Sequence, residues 1–313
     1  RITAPKQITT SYLPLFAIFE AISGIFTEVY TRKRILEFKY EISYYINGKY
    51  VCIIKEEDNP YFLIDNKIST RQKIIQDNLL PSKIIALYSG EETRLWEEYY
   101  EKFYYQYLHD LTSETFETFG SKMLYINKSF WNISLLTLLL SDAQDNKDFI
   151  KNKLKINKKN VDINIEFDLN FIKNSKGKTL KEFVKKINPK NKTNISIKLD
   201  TLKRKIFPKF KGDKFAYIEQ YTSEKIFEIL IYASMPKQKK AFKKIEITFN
   251  DGLTLKSLSE GEKKYILIYT ALEILSDERT MILFDEPDAH IHEFGKIDVC
   301  SMLEKYSEKY NRQ

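Results

Sequence analysis

Two segments between residues 258 and 288 carry the residues best suited to chemistry. The first, LSEGEKK, places Ser259 and Gly261 at the start of an amphipathic helix. Free backbone N–H groups and the helix dipole at such a start favour a phosphate. The second, TMILFDEPD, is an apolar run that ends in the adjacent carboxylates Asp285 and Glu286. Because ligands of open α/β sheets bind beyond the carboxyl ends of strands, both carboxylates are expected at a ligand-binding edge.

The residues around each segment predict the element that positions it. Ser259 is a suitable helix N-cap, and Glu262, three residues later, completes a capping box. The apolar run from Met281 to Phe284 is typical of a buried parallel strand. Each pattern alone also fits a purely structural role, because S-x-x-E is a common helix start and Asp-Glu-Pro can simply end a strand. The order and spacing of the two segments, and the DAHIH that follows Pro287, favour a functional site.

Together, LSEGE and the strand ending in DEPDAHIH resemble the signature motif and Walker B strand of ABC-type ATPase heads. That superfamily includes SMC-, RecF- and OLD-like proteins as well as transporters. The DAHIH continuation is similar to the OLD- and RecF-like form, whereas transporters continue with serine, alanine, leucine and aspartate. The resemblance is strong over residues 253–310 and more general over residues 12–140. A transporter ATPase subunit is therefore disfavoured.

The resemblance implies ATP as the substrate and Mg²⁺ as the cofactor. Asp285 would hold Mg²⁺, and Glu286 would orient or deprotonate the attacking water. Such heads sandwich nucleotide head to tail, so the signature residues of one copy would act in trans on the γ-phosphate held by the other. These signature residues are Ser259, Gly261 and Glu262. The D-loop residues at the dimer seam would be Asp288, His290 and His292.

A P-loop of the form G-x-x-x-x-G-K-[ST] is missing, since the first of the nine glycines is Gly24. Residues 4–11, APKQITTS, nevertheless have the length and the Pro and Ser positions of such a loop. Thr9 stands where a glycine belongs and Thr10 where the lysine belongs, while Ser11 keeps the position of the Mg²⁺ ligand. Three interpretations stay open: a pseudo-ATPase, a loop whose given residues are not the natural ones, and a chance resemblance.

The predicted fold is an α/β, ABC-ATPase-like head with a mixed or parallel core sheet, an N-terminal antiparallel β region and a helical, basic insertion lobe. Residues 1–140 would form the first part of the head, residues 141–243 the lobe, and residues 244–313 the part with the signature and Walker B segments. The head would be incomplete, because neither its first strand nor a switch histidine is found. Sustained heptads are absent, which excludes a long coiled coil.

Turn signals and alternation predict further elements. Strands at residues 40–47 and 49–55 flank Asn47-Gly48, which is a type I′ hairpin signal. Residues 161–169 alternate with period two, so they predict a half-buried strand with Phe167 in the core. Short strands are predicted at 61–65, 83–89 and 194–199, and a hairpin at 244–256. Helices are predicted at 91–108, 131–140, 178–187, 223–233 and 297–310.

The basic charge is concentrated in residues 151–214, which hold 20 Lys and Arg against 6 Asp and Glu in a chain of net charge +8. This block is either a solvated, compositionally biased surface or an electrostatic footprint for the phosphates of DNA or RNA. The residues predicted to contact nucleic acid are Lys203, Arg204, Lys205, Lys209 and Lys211.

Bulk composition, 43% hydrophobic and 30% charged, is typical of a globular cytoplasmic protein. Two cysteines indicate no disulfide framework, and no apolar run approaches the ~18 residues of a membrane span. The predicted function is an ATP-hydrolysing head that dimerises around nucleotide and controls a DNA- or RNA-directed or effector activity in prokaryotic antiviral defence. The predicted partners are a second copy, in a dimer or higher oligomer, and an effector nuclease or toxin. The alternative is a catalytically silent scaffold that docks the effector.

Overall fold

The computed structural model describes residues 40–56, 60–88, 101, 123–175, 177–207, 222–234, 240–285 and 291–309. They belong to two compact units. The described part of the first unit lies within residues 1–103, 120–125 and 276–286, and that of the second within residues 104–119, 126–275 and 287–313. Helices combine with one parallel strand pair and two antiparallel sheets, so the predicted mixed α/β class is confirmed. The division at residues 140 and 243 remains a prediction.

The described strands, in chain order, are β1 (Tyr40–Ile46), β2 (Lys49–Lys55), β3 (Tyr61–Ile64), β4 (Lys67–Ser69), β5 (Lys83–Tyr88), β6 (Met123–Ile126), β7 (Val161–Phe167), β8 (Asn194–Lys198), β9 (Phe242–Phe249), β10 (Leu253–Thr254) and β11 (Thr280–Asp285). The described α-helices are α1 (Arg71–Gln76), α2 (Trp131–Leu140), α3 (Gln144–Asp148), α4 (Leu169–Asn174), α5 (Lys178–Ile187), α6 (Leu199–Ile206), α7 (Ser223–Ser234), α8 (Glu260–Thr270) and α9 (Glu293–Lys309). The loop at 4–11 and, apart from residue 101, the predicted helix at 91–108 lie outside the described residues.

The first unit contains the antiparallel sheet β1-β2-β3-β4, which confirms the predicted N-terminal β region. Asn47 and Gly48 join β1 to β2 with φ values of 50° and 72°, as a type I′ turn requires. One face of this sheet packs its buried side chains, such as Val51 and Ile53, against Ile74 of α1. Thr70 begins α1 by accepting a hydrogen bond from the Lys73 N–H.

The same unit contains a second sheet of order β11-β5-β6, in which β11 runs parallel to β5. Thr280 pairs with Lys83 at one end and Asp285 with Tyr88 at the other. The predicted parallel strand is therefore confirmed. Its burial is less complete than a continuous apolar run indicates, because Leu283 is buried but its neighbours Ile282 and Phe284 are only half-buried.

Asp277 fixes the point at which β11 begins beside β5. Its carboxylate accepts hydrogen bonds from the Ser82 hydroxyl at 2.6 Å and from the Arg279 N–H at 2.9 Å. The Ser82 N–H in turn donates to the Arg279 carbonyl at 2.9 Å. Burial alone would raise the pKa of Asp277, but these bonds lower it below its usual value. The register that brings Asp285 to the carboxyl end of the sheet is thus pinned at the opposite end of the strand.

The second unit is built around the antiparallel sheet β10-β9-β7-β8. The alternation predicted for residues 161–169 is confirmed, since every second side chain of β7 from Val161 to Phe167 is buried. Helices α2 and α7 pack against β9, and α2 also contacts α8. Because it has neighbours on several sides, α2 is buried from Ile133 to Leu140.

The basic block is an integral part of this second unit. Its strands β7 and β8 share the sheet with β9 and β10, which lead directly into α8. Helix α5 buries Leu180, Phe183, Val184 and Ile187, and α6 buries Leu199, Leu202 and Ile206. The predicted solvated surface is therefore the outer face of packed elements. None of the helices in the described ranges could cross a membrane.

Candidate functional site

The start of α8 has the geometry that the sequence predicts. Ser259 is the N-cap, and its Oγ accepts a hydrogen bond from the Glu262 N–H at 3.2 Å. The Glu262 carboxylate accepts in return from the Ser259 N–H at 2.7 Å and from the Ser259 hydroxyl at 2.9 Å. Both halves of the capping box are formed, so the orientation of this helix start is fixed by its own side chains.

The loop that leads into α8 is held by a second capping box. The Thr254 hydroxyl accepts from the Lys256 N–H, and the Ser257 hydroxyl accepts from the Thr254 N–H, both at 3.3 Å. One turn earlier, the Asn250 side chain donates to the Lys155 carbonyl at 2.7 Å and accepts from the Asn157 N–H at 2.9 Å. These bonds tie the approach to Ser259 to the first residues of the basic block.

Gly261 lies in the first turn of α8 without a conformational reason to be glycine. Its φ is not positive, and the one described atom that a Cβ built there would meet is the Ser259 Oγ, at 4.0 Å, which is an ordinary contact. Glycine within a helix costs roughly 0.5–1 kcal/mol relative to alanine. Packing against the described residues does not offset this cost, which is consistent with close approach by a ligand.

The helix start can donate hydrogen bonds to an anion. The Lys263 N–H makes the first intrahelical bond, to the Ser259 carbonyl at 3.0 Å, so the N–H groups of Glu260 and Gly261 have no intrahelical acceptor. Two carboxylates oppose an anion here. That of Glu260 is paired with the Lys263 Nζ at 2.7 Å, and that of Glu262 is engaged in the capping box.

The predicted carboxylate strand belongs to the first unit. Asp285 is the last residue of β11, next to Tyr88, the last residue of β5, so its backbone lies at the carboxyl end of the parallel pair. The structure thus brings Ser259, Gly261 and Glu262 together on α8 and places Asp285 in a separate unit. Six predicted site residues lie outside the described ranges: Ser11, Lys209, Lys211, Glu286, Asp288 and His290.

His292 is the described member of the predicted D-loop. It is exposed and directly precedes α9. Its carbonyl accepts hydrogen bonds from the Gly295 N–H at 2.7 Å and the Lys296 N–H at 3.1 Å, so it marks the start of that helix. Among the described residues, no three His, Cys, Asp or Glu side chains form a group that could hold a metal ion.

The predicted nucleic-acid residues Lys203, Arg204 and Lys205 form the last turn of α6. The Lys203 Nζ lies 2.9 Å from Asp142 Oδ1, and this hydrogen bond lowers the pKa of Asp142. The Lys205 Nζ donates to the Ile187 carbonyl at 2.8 Å. Arg204 is the exposed one of the three, and its guanidinium donates to the Thr201 hydroxyl at 3.5 Å, so all three cations have acceptors within the fold.

A neighbouring cation has a similar internal role. The Lys158 Nζ donates to the carbonyls of Leu139 and Ser141, each at 3.3 Å, where α2 ends. Burial lowers the pKa of Lys158 to about 8. Lys158, one of the cations of the basic block, thus donates hydrogen bonds to the last carbonyls of the buried helix α2 and caps its C-terminus.

Sequence reasoning missed a contact between α8 and α9. The Tyr265 hydroxyl donates to the Gly295 carbonyl at 2.9 Å and lies 3.4 Å from Asp298 Oδ2. The two chain positions are 30 residues apart, and neither belongs to a recognisable motif. The only hint in the sequence is a glycine, which is a poor helix former, at the start of an otherwise helical segment.

The chain matches a known protein family. A family model described as "AAA domain, putative AbiEii toxin, Type IV TA system" matches residues 88–292, which is more than half of the chain. The matched region runs from the end of β5 through α8 and β11 to His292. Comparisons with curated proteins and with solved structures gave no match. The chain therefore belongs to this AAA domain family, and it is an ABC-like, nucleotide-binding ATPase domain.

Proposed function

We propose that this chain is an ATP-hydrolysing head that closes head to tail with a second copy around nucleotide and thereby controls an effector in prokaryotic antiviral defence. The observation that carries the proposal is the start of α8. A complete capping box orders this start, which has two N–H groups without an intrahelical acceptor and a glycine at a position where the described residues leave room for a side chain. An anion such as the γ-phosphate suits such a place, because the helix dipole and the N–H donors act together.

The residues of α8 have distinct roles in this proposal. The N–H groups of Glu260 and Gly261 donate to the γ-phosphate held by the other copy. Gly261 allows that phosphate to come close, because no side chain intervenes. The Ser259 hydroxyl, which donates to the Glu262 carboxylate before nucleotide binds, then donates to the phosphate instead. Until that exchange, Glu262 keeps the helix start ordered.

The carboxylates of β11 have the complementary role. Asp285, at the carboxyl end of the parallel pair, and the hydroxyl of Ser11 are hard oxygen donors of the kind that suits Mg²⁺. When bound, Mg²⁺ supplies charge neutralisation on the transferred phosphoryl group. Glu286, the next residue, orients or deprotonates the attacking water. The D-loop residues at the dimer seam are Asp288, His290 and His292.

The OLD- or RecF-like type and the effector are the finer part of the proposal. The DAHIH continuation supports the OLD- or RecF-like type. The family description names a putative toxin of a type IV toxin–antitoxin system, and the partner in this proposal is a toxin or nuclease. The chain would couple nucleotide state to that effector through closure of the two heads.

The test is replacement of Glu286 by Gln in the natural protein. Turnover should fall by roughly 10²-fold or more, the scale of a positioned acid–base group, while ATP still binds and the dimer accumulates. Glu278→Gln is the matched control, because Glu278 is exposed and precedes the opposite end of the same strand. Equal turnover by the Glu286 variant and the parent would reject the assignment of the base.

A catalytically silent scaffold is the second candidate, and the sequence of residues 4–11 favours it. Thr9 and Thr10 give the loop neither the φ freedom of glycine nor the charge of lysine. In that case the chain would dimerise or dock the effector without turnover. Sequencing the parent gene across positions 1–12 decides whether these residues are natural, and ATP-binding measurements then separate the two candidates.

Binding of DNA or RNA by the basic block is a further part of the proposal. Lys178, Lys181 and Lys185 are exposed and spaced by three and four residues, so they share the outer face of α5. This face, rather than the last turn of α6, is better suited to phosphates, since Lys203 and Lys205 already have acceptors within the fold.

A further inference from the structure

Tyr265 joins two helix starts within the second unit. It lies on α8, downstream of Ser259, and its hydroxyl donates to the Gly295 carbonyl at 2.9 Å in the first turn of α9. Asp298, one turn further along α9, lies 3.4 Å from the same hydroxyl. The helix that begins at the predicted signature serine is therefore bonded to the helix that begins at the predicted D-loop.

The approach between these helices is close enough to require glycine at position 295. A Cβ there would lie 2.5 Å from the Tyr265 hydroxyl oxygen and would also collide with the Ile291 Cγ2. Gly295 therefore differs from Gly261, where a Cβ has room. The contact depends on a hydroxyl on one helix and on the missing side chain of the other.

The start of the basic block completes the contact. The Lys153 Nζ forms an ion pair with Asp298 and lies 5.4 Å from the centre of the Tyr265 ring. Lys153 ends the π-helical segment Phe149–Lys153, whose Phe149 stacks on Tyr269 of α8 with ring centres 4.0 Å apart. A cation over the ring face and an acceptor at the hydroxyl thus hold the Tyr265 side chain in one orientation.

We propose that Tyr265 is a positioning residue for ATP hydrolysis: it makes the start of α8 and the start of α9 move as one body, with Lys153 connecting the basic block to both. The inference rests on the proposed function, because the two starts matter for turnover only if Ser259 and the D-loop meet the same second copy. When the dimer closes, Ser259 and the D-loop must reach their positions on the second copy at the same time. A hydrogen bond between α8 and α9 fixes the distance between the two helix starts before closure.

The Tyr265 hydroxyl can serve as a donor throughout. Burial and the nearby Asp298 carboxylate raise the pKa of Tyr265 to about 12. The hydroxyl therefore stays protonated at the pH of any ATPase assay, and the bond to Gly295 is not switched by pH. Its effect on turnover should be the same at each pH tested.

The experiment compares Tyr265→Phe with Tyr269→Phe in the otherwise unchanged protein. Both variants remove one hydroxyl from a tyrosine on the same helix, but the Tyr269 ring remains held by stacking on Phe149. Tyr265→Phe should lower turnover by about 5-fold or more, the scale of one lost hydrogen bond, and leave nucleotide affinity within about 2-fold. Tyr269→Phe should leave both unchanged. Parent-like turnover in Tyr265→Phe overturns the inference.

Hydrogen–deuterium exchange without nucleotide separates this inference from the proposed function. Tyr265→Phe should raise exchange at both helix starts, residues 259–264 and 291–298, and leave the rest of α8 and the buried helix α2 protected. A uniform rise in exchange over the whole chain would indicate ordinary destabilisation. Unchanged exchange at both helix starts would show that the hydrogen bond does not couple them. Each result overturns the inference. If the parent fails to hydrolyse ATP, the proposed function is rejected while exchange still decides on the coupling.

Discussion

The Glu262 carboxylate accepts a hydrogen bond from the Ser259 N–H at 2.7 Å, while the Glu262 N–H donates to the Ser259 hydroxyl at 3.2 Å. This reciprocal pair orders the start of α8 without help from a ligand. A ligand that binds there does not have to order the backbone first, which lowers the entropic cost of binding.

Replacing Gly261 by Ala should separate stability from activity. The added Cβ has room and removes the entropic cost of glycine, so the free energy of unfolding should rise by up to about 0.5–1 kcal/mol. ATP turnover should nevertheless fall about 10-fold or more, because the methyl group intrudes where the phosphate approaches. Urea unfolding and steady-state ATPase assays measure the two effects.

Gly295→Ala is the matched control for that experiment. Its Cβ would collide with Tyr265 and Ile291, so this change should destabilise the protein by about 1–3 kcal/mol, as overpacking does. Opposite signs of the two alanine substitutions are the expected result. Loss of stability in Gly261→Ala, or unchanged turnover, would contradict the claim that Gly261 is a glycine because a phosphate approaches it closely.

Asp277 should make the stability of the first unit depend on acid pH. Its pKa is lowered in the folded state, so its contribution is fully present above the usual value of 3.8 and is lost as the pH falls through the lower, folded value. Asp277→Ala should lower the free energy of unfolding by about 1 kcal/mol. The effect is small because the carboxylate is largely exposed, and hydrogen bonds of exposed groups contribute little to stability.

The check on Asp277 is unfolding monitored between about pH 7 and pH 2. The parent should lose more stability than Asp277→Ala below about pH 4, so the two curves should converge as the carboxylate is protonated. Parallel curves over the whole range would mean that Asp277 does not hold β11 in place through its charge.

The outer face of α5 should carry any binding of nucleic acid. Replacing Lys178, Lys181 and Lys185 by Glu should weaken binding of DNA and RNA of any sequence and lower the salt slope by about 3, one released counterion for each lost cation. Stability should change by less than about 0.5 kcal/mol, because these side chains are exposed. Binding across a salt titration and thermal unfolding provide the two measurements.

Replacing Lys203, Arg204 and Lys205 by Glu is the comparison. It should lower stability, because Lys203 pairs with Asp142 and Lys205 bonds to the Ile187 carbonyl. If the parent and the triple variant of Lys178, Lys181 and Lys185 bind nucleic acid equally well, the outer face of α5 is a solvated surface and not a binding site.

Local patterns in the sequence predicted local structure well. The Asn47-Gly48 turn, the Ser259 capping box and the alternating strand β7 depend on residues a few positions apart, and each is confirmed. The hairpin before α8 begins at Phe242 rather than at residue 244 and ends in a 3₁₀ turn, a small difference of the kind expected at element boundaries.

Long-range partners could not be predicted. Ser82 bonds to Asp277 across 195 residues, and Lys203 pairs with Asp142 across 61. In the sequence, Lys203 belongs to a charge run that indicates an external phosphate, because the carboxylate that it meets in the fold lies in another element. The contact of Tyr265 with Gly295 was missed for the same reason. Charge and spacing along the chain do not reveal such tertiary acceptors.

The central claim, that α8 of one copy acts on nucleotide held by another, is tested most directly by mixing two inactive variants. Gly261→Glu places a carboxylate where the γ-phosphate would approach, and Glu286→Gln removes the proposed base. In a mixed dimer both defects fall in one composite site and the other site is intact. An equimolar mixture with free exchange should therefore recover roughly a quarter of parental turnover, since half of the dimers are mixed and each has one working site. Turnover that stays at the level of the separate variants, although exchange of subunits is demonstrated, would contradict the account.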